Sequence, residues 1–133
     1  MRNKYITKSG IPTEHLEQVR LVNWLNQKEI LYCAIPNGAR TSMAQAKKLK
    51  AEGLKAGAPD LLIFTSPKKL GVQLEGAVWK AYHSVAVEMK KQSGGTQSKV
   101  QKEWQFNLEE CGWIYLLCKG YEDAKKKLTN LGY

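Results

Sequence analysis

Apolar and polar positions change period several times along the chain. From Glu14 to about Lys28 the apolar residues Leu21, Val22 and Leu25 recur at helical spacing, and Thr13 stands where an N-cap belongs. Ile30 to Ile35 is a short β-like run, closed by the turn signal Pro36-Asn37-Gly38. Ser42 with Gln45 has capping-box spacing and opens a second helix that Gly53 would close. Gly57-Ala58-Pro59-Asp60 leads into the apolar strand Leu61–Phe64, and the turn-rich stretch Thr65 to Gly76 reads as an insertion. Ser84 to Lys90 alternates strictly, with Val85, Val87 and Met89 on one face and Ala86, Glu88 and Lys90 on the other. After Gly94-Gly95 come a helix from about Lys99 to Glu110, an apolar strand from Trp113 to Cys118, and a final helix from Glu122 to Leu131. Helices alternating with apolar strands predict an α/β sheet covered by helices. Residues 1–12 read as a loose lead-in and residues 13–133 as one domain.

Composition changes this picture in one respect. The 133 residues carry 21 Lys and Arg against 12 Asp and Glu, a formal net charge of +9. Both halves are net positive, so the excess belongs to the folded body, and a polyanion such as nucleic acid is the expected partner. The run Lys125-Lys126-Lys127 reads as a solvated helix face. No apolar stretch approaches the ~20 residues a membrane span needs, and the N-terminus has no signal-peptide core. Three cysteines with no CxxC pair support neither a disulfide framework nor a zinc site. Cys33 and Cys118 lie in apolar runs and are expected as buried thiols in a reducing cytosol.

Three places put polar groups where a core would want apolar ones. On the first helix, at about 100° per residue, Glu14 and Gln18 share a sector with Leu21 and Leu25, and Glu17 lies towards its edge. An exposed first-turn carboxylate favoured by the helix dipole is the alternative for Glu14. Asp60 is presented by Pro59 at the start of a strand, although Pro-Asp is also an everyday turn. Glu88 and Lys90 lie one residue apart on the same strand face. That is costly on a central strand unless the charges are paired or bound; an edge strand with an outward salt bridge is the alternative.

Together the three have a chemical sense. Asp60 and Glu88, from adjacent strands, can hold a divalent cation through hard oxygen ligands, with a helix carboxylate completing or supporting the shell. Lys90 beside them could orient water and stabilise developing negative charge, as a metal-assisted phosphodiester hydrolase requires. With His15 and His83 the only histidines, and no HExxH or nucleophile elbow, histidine- or serine-based chemistry has little support.

The order Glu14…Gln18, Gly57-Ala58-Pro59-Asp60, Glu88-Met89-Lys90 and Gln101…Trp104 resembles the VRR-NUC domain, the virus-type replication-repair nuclease branch of the PD-(D/E)XK superfamily. Ile35-Pro36-Asn37-Gly38, the Ala46…Glu52-Gly53 stretch and Gly94-Gly95 followed by Ser98…Trp104 extend the resemblance over roughly residues 13 to 130. It implies a restriction-endonuclease-like core of αβαββαβ type, with a mixed central sheet flanked by helices, and Mg²⁺ or Mn²⁺ as cofactor. It implies Asp60 and Glu88 as metal ligands, Glu14 as the helix acid with Glu17 as a substitute, Lys90 as the catalytic lysine, and Gln18 and Gln101 lining the site. Gln101 has a second reading, because with Ser98 it forms a capping-box pair. Trp24, Trp104 and Trp113 read as core packing.

The family's stand-alone members are phage and bacterial proteins similar to junction resolvases. The resemblance therefore implies a cytoplasmic homodimer acting on branched DNA, Holliday junctions included, in replication, repair or recombination. Residues 65–82, with Leu70, Val72, Leu74, Val78 and Trp79, form the apolar segment expected to make a dimer contact. Phosphate contacts are expected from Arg40, Lys47, Lys48, Lys50 and Lys55 on one side of the site and Lys91, Lys99 and Lys102 on the other. Two alternatives remain: a less selective flap, end or single-strand nuclease, and a non-catalytic basic nucleic-acid-binding module.

Overall fold

The computed structural model describes residues 3–36, 42–67 and 84–133, together with the backbone strands 73–75 and 78–80. Its elements run α1 (Glu14–Gln27), β1 (Tyr32–Ala34), α2 (Met43–Ala51), β2 (Leu61–Ile63), β3 (Gln73–Glu75), β4 (Val78–Lys80), β5 (Ser84–Lys90), α3 (Lys99–Glu110), β6 (Trp113–Lys119) and α4 (Tyr121–Asn130). With the β3–β4 ribbon set aside, the order is αβαββαβ followed by α4. Four strands form a sheet in the order β1-β2-β5-β6; β1, β2 and β5 pair antiparallel and β5 and β6 pair parallel, so the sheet is mixed.

The alternation in β5 decides which face becomes core. Val85, Val87 and Met89 are buried with Leu61 and Ile63 of β2 and Cys118 of β6, under Leu21, Trp24 and Leu25 of α1 and Ala124 and Leu128 of α4. The opposite face carries Ala86, Glu88 and Lys90 and is covered by α3, whose Gln101 bonds to both charged residues. β5 lies between two partners, so its charges do not sit on an edge strand.

Helix starts follow their caps. Thr13 Oγ1 accepts from Leu16 N, Ser42 Oγ from Gln45 N, and Ser98 and Gln101 close a full capping box. Among the described residues no helix is long and apolar enough to cross a membrane.

Several expectations change. Cys33 is exposed, because β1 is the short edge strand; only Cys118 is buried. Phe64 falls outside β2 and is 47% exposed. The lead-in is organised: Ile6 bridges Pro12, Thr13 N donates to Tyr5 O, and Tyr5 stacks on His15. The segment 65–82, whose first part Thr65 to Gly76 reads as a turn-rich insertion, contains the antiparallel ribbon β3–β4. Of the expected dimer residues there, Leu70 and Val72 lie outside the described residues, as do the side chains of Leu74, Val78 and Trp79. Trp24 is core, whereas Trp104 is half-buried and its Nε1 donates to Ala56 O, tying α3 to the segment before β2.

Candidate active site

The antiparallel register Leu61↔Val87, extended by one residue, sets Asp60 opposite Glu88. Asp60 Oδ2 accepts the backbone N–H of Met89 at 2.7 Å, which locks the start of β2 to the end of β5. Glu88 is 3% and Lys90 9% exposed. Lys90 Nζ stands 3.5 Å from Glu88 Oε1 and donates to Gln101 Oε1 at 2.9 Å. Gln101 Nε2 donates to Glu88 Oε1 at 2.6 Å. One glutamine amide thus holds the acid with its nitrogen and the lysine with its oxygen. That same oxygen takes the Ser98 N–H of the capping box, so the two readings of Gln101 are both true.

Glycine lets the loop after β5 close over the lysine. A Cβ on Gly95 would meet Lys90 Cβ at 2.9 Å, nearer than any real side chain comes.

The site is short of positive charge. Burial first, then the neighbouring Asp60, raise the Glu88 carboxyl from 4.5 to about 7, against the opposing pull of Lys90. Burial also raises Asp60, opposed by the Met89 N–H; Glu14 adds to the rise and Lys90 resists it. Three carboxylates share the field of one lysine. Glu88 Oε2 is buried with no hydrogen-bond partner among the protein atoms, and an unsatisfied buried carboxylate oxygen is costly. A cation on the Asp60 and Glu88 oxygens would relieve both the repulsion and the orphaned atom, so these residues fit a hard divalent metal.

The two first-turn acids of α1 separate. Glu14 is exposed, and its field reaches both Asp60 and Glu88. Among the described residues no group of three His, Cys, Asp or Glu side chains is close enough to hold a metal. Glu14 bears on the pair through its charge. Glu17 is fully buried. Its carboxylate accepts from Gln92 Nε2 at 2.7 Å and from Tyr121 N, and Arg20 lies 3.9 Å away. It supplies the cap that α4 lacks at Gly120, so it is a structural acid and not a substitute for Glu14. Gln18, one turn beyond Glu14, is partly buried.

Lys47, Lys48 and Lys50 on α2, Lys55 after it, and Lys91, Lys99 and Lys102 are all exposed; Arg40 lies outside the described residues. Tyr115 escaped the sequence reading. It pairs with Ala86 across the parallel β5–β6 register and so shares the face of Glu88. Burial first, with Gln97 opposing and the field of Glu88 and Asp60 adding, pushes its hydroxyl up to about 12. The alternation Ile114-Tyr115-Leu116 was the available signal.

A solved structure titled "VRR_NUC domain protein" matches this chain with a TM-score of 0.68 and 23% identity, covering 90% of this chain and 87% of that one. No family model and no curated protein matches. The chain shares the VRR-NUC fold of that structure, a mixed four-stranded sheet flanked by helices, as the sequence motifs led one to expect.

Proposed function

We propose that this protein is a metal-dependent deoxyribonuclease that hydrolyses phosphodiester bonds in branched DNA, with Mg²⁺ or Mn²⁺ as cofactor. The observation that carries the reading is the buried pair Asp60 and Glu88, with Glu88 Oε2 unsatisfied and Lys90 alongside. Asp60 and Glu88 would hold the cation, which supplies Lewis acidity and lowers the pKa of water. Lys90, fixed by Gln101, can orient the attacking water and offset charge growing on the phosphoryl oxygens. Glu14 adds negative potential that favours the cation. The exposed lysines of α2 and of α3's first turns would grip phosphates on either side, which holds a duplex arm without reading its bases. A homodimer would give a four-way junction two such sites.

The test is cleavage of labelled duplex, flap and four-way junction DNA with Mg²⁺, with Mn²⁺ and with EDTA. Cutting that needs metal, prefers branched substrates and is lost in Asp60→Ala and Lys90→Ala is expected. Undiminished cutting by either variant overturns the site; equal cutting of all substrates overturns the selectivity. A concentration-independent monomer in sedimentation overturns the dimer.

A further inference from the structure

The outer side of α3 carries, beside the lysines that would grip phosphates, an exposed aromatic side chain that the chemistry of the site does not use. At about 100° per residue, Lys99, Lys102 and Phe106 fall on one stripe, nearly opposite Gln101, which points at the sheet. Phe106 is 64% and Val100 43% exposed. Lys99, Lys102, Phe106 and Asn107 line one hollow, and Lys55, Val100 and Trp104 line a second. The two share Glu103 and Asn107, so they adjoin as one surface along α3, which at the second hollow reaches the segment before β2. Its floor is apolar and aromatic, its rim carries three lysines against one glutamate, and Asn107 offers an amide.

The surface is built firmly. Trp104 Nε1 donates to Ala56 O at 2.9 Å. Gly57 has φ +78, and a Cβ there would meet Val100 Cγ1 at 2.6 Å, so the segment can lie this close to α3 only with glycine at that position. An exposed phenylalanine between lysines on a rigid surface is poorly suited to water and well suited to a flat apolar ring bearing phosphates.

We infer that this surface binds single-stranded nucleic acid, with Phe106 stacking an unpaired base while Lys99, Lys102 and Lys55 hold the flanking phosphates. Duplex DNA keeps its base faces covered and offers Phe106 nothing to stack on, whereas every unpaired base has an exposed π-face. The inference rests on the nuclease reading for its biological sense and deepens it: the favoured substrate has an unpaired strand beside the duplex. Such a strand would pass the N-terminal end of α3, where Lys99 lies two residues from the Gln101 that bridges Glu88 and Lys90.

The test is binding in EDTA, where no cutting intervenes, of a labelled oligothymidylate and a blunt duplex by fluorescence anisotropy. Phe106→Ala is expected to weaken single-strand binding about tenfold and leave duplex binding and melting temperature unchanged, while Phe106→Trp restores it. Lys99→Ala with Lys102→Ala is expected to lower the single-strand salt slope by about 0.7 per lysine. Unchanged oligothymidylate binding by Phe106→Ala overturns the inference. So does loss of a dimer in sedimentation without loss of binding, which would make the surface a contact between copies. Because no step depends on metal, a protein that cuts nothing but still loses single-strand binding in Phe106→Ala keeps this inference while the nuclease reading fails.

Discussion

Lys90 Nζ donates to Gln101 Oε1 at 2.9 Å, and that oxygen also accepts the Ser98 N–H at 2.9 Å. The start of α3 and the placement of the buried lysine are therefore one hydrogen-bond network, and its parts can be separated by mutation. Ser98→Ala removes only the cap and is expected to cost about 1 kcal/mol of stability with cleavage kept within a few-fold. Gln101→Ala removes the cap partner and both side-chain tethers. It is expected to cost more stability and to lower the cleavage rate at least tenfold. Denaturant melts and single-turnover cleavage read the two quantities, and a Gln101→Ala protein cutting at the parent rate would refute the tether.

The acids of α1 give opposite expectations. Glu17→Ala leaves Tyr121 N and Gln92 Nε2 without their acceptor inside the fold. A loss of about 2 to 4 kcal/mol is expected. Glu14→Ala, at an exposed position, is expected to change stability by no more than about 0.5 kcal/mol while weakening metal binding and cleavage. A Glu14 variant that unfolds, or a Glu17 variant as stable as the parent, would reverse the assignment.

The pH dependence of the metal-free protein follows from Glu88. Its carboxyl rises from 4.5 to about 7 on folding, so the folded chain holds this proton more tightly than the unfolded chain does. The contribution is fully present below about pH 4.5 and is lost as pH rises through about 7. Asp60 shifts in the same direction. In EDTA the parent's melting temperature should fall more steeply than that of Glu88→Gln between those values. A slope identical in the two proteins would show that another group sets it.

Metal should reverse that loss. At neutral pH, Mg²⁺ or Mn²⁺ is expected to raise the melting temperature of the parent, through preferential binding to the folded state. Asp60→Asn keeps an acceptor for the Met89 N–H and removes the charge, so it should fold with β2 and β5 in register and show little metal response. An equal rise in both proteins would place the metal elsewhere.

Thiol chemistry gives an independent check of the sheet. Cys33 and Cys111 are exposed, whereas Cys118 is fully buried and burial pushes its thiol up to about 12. Two thiols should react quickly with a disulfide reagent in the native protein and the third only on unfolding. Rapid reaction of all three would contradict the packing of β6 against α4.

Much of the site was legible because a strand has a strict period. Glu88 and Lys90 had to share a face once Val85, Val87 and Met89 took the other, and Asp60 had to stand where β2 begins. Helix starts were legible because caps act over three or four residues. The helical wheel of α1 was less informative: it places Glu14 and Glu17 only about 60° apart, yet says nothing of what covers each. Only the docking of α4 and Gln92 buried Glu17, while Glu14 stayed exposed with its field reaching Asp60 and Glu88.

The sequence by itself determined the α/β alternation and the two faces of β5, because these depend on periodicity and local hydrogen bonding; the short list Glu14, Asp60, Glu88, Lys90 and Gln101 came from the resemblance to the VRR-NUC domain. The tertiary structure alone decided that β5 is central and β1 an edge, which exposes Cys33. It also decided that Gln101 serves helix and site at once, and that Phe106 faces water. Those outcomes depend on which segments pair across long stretches of chain, and burial is a property of neighbours that no local pattern encodes.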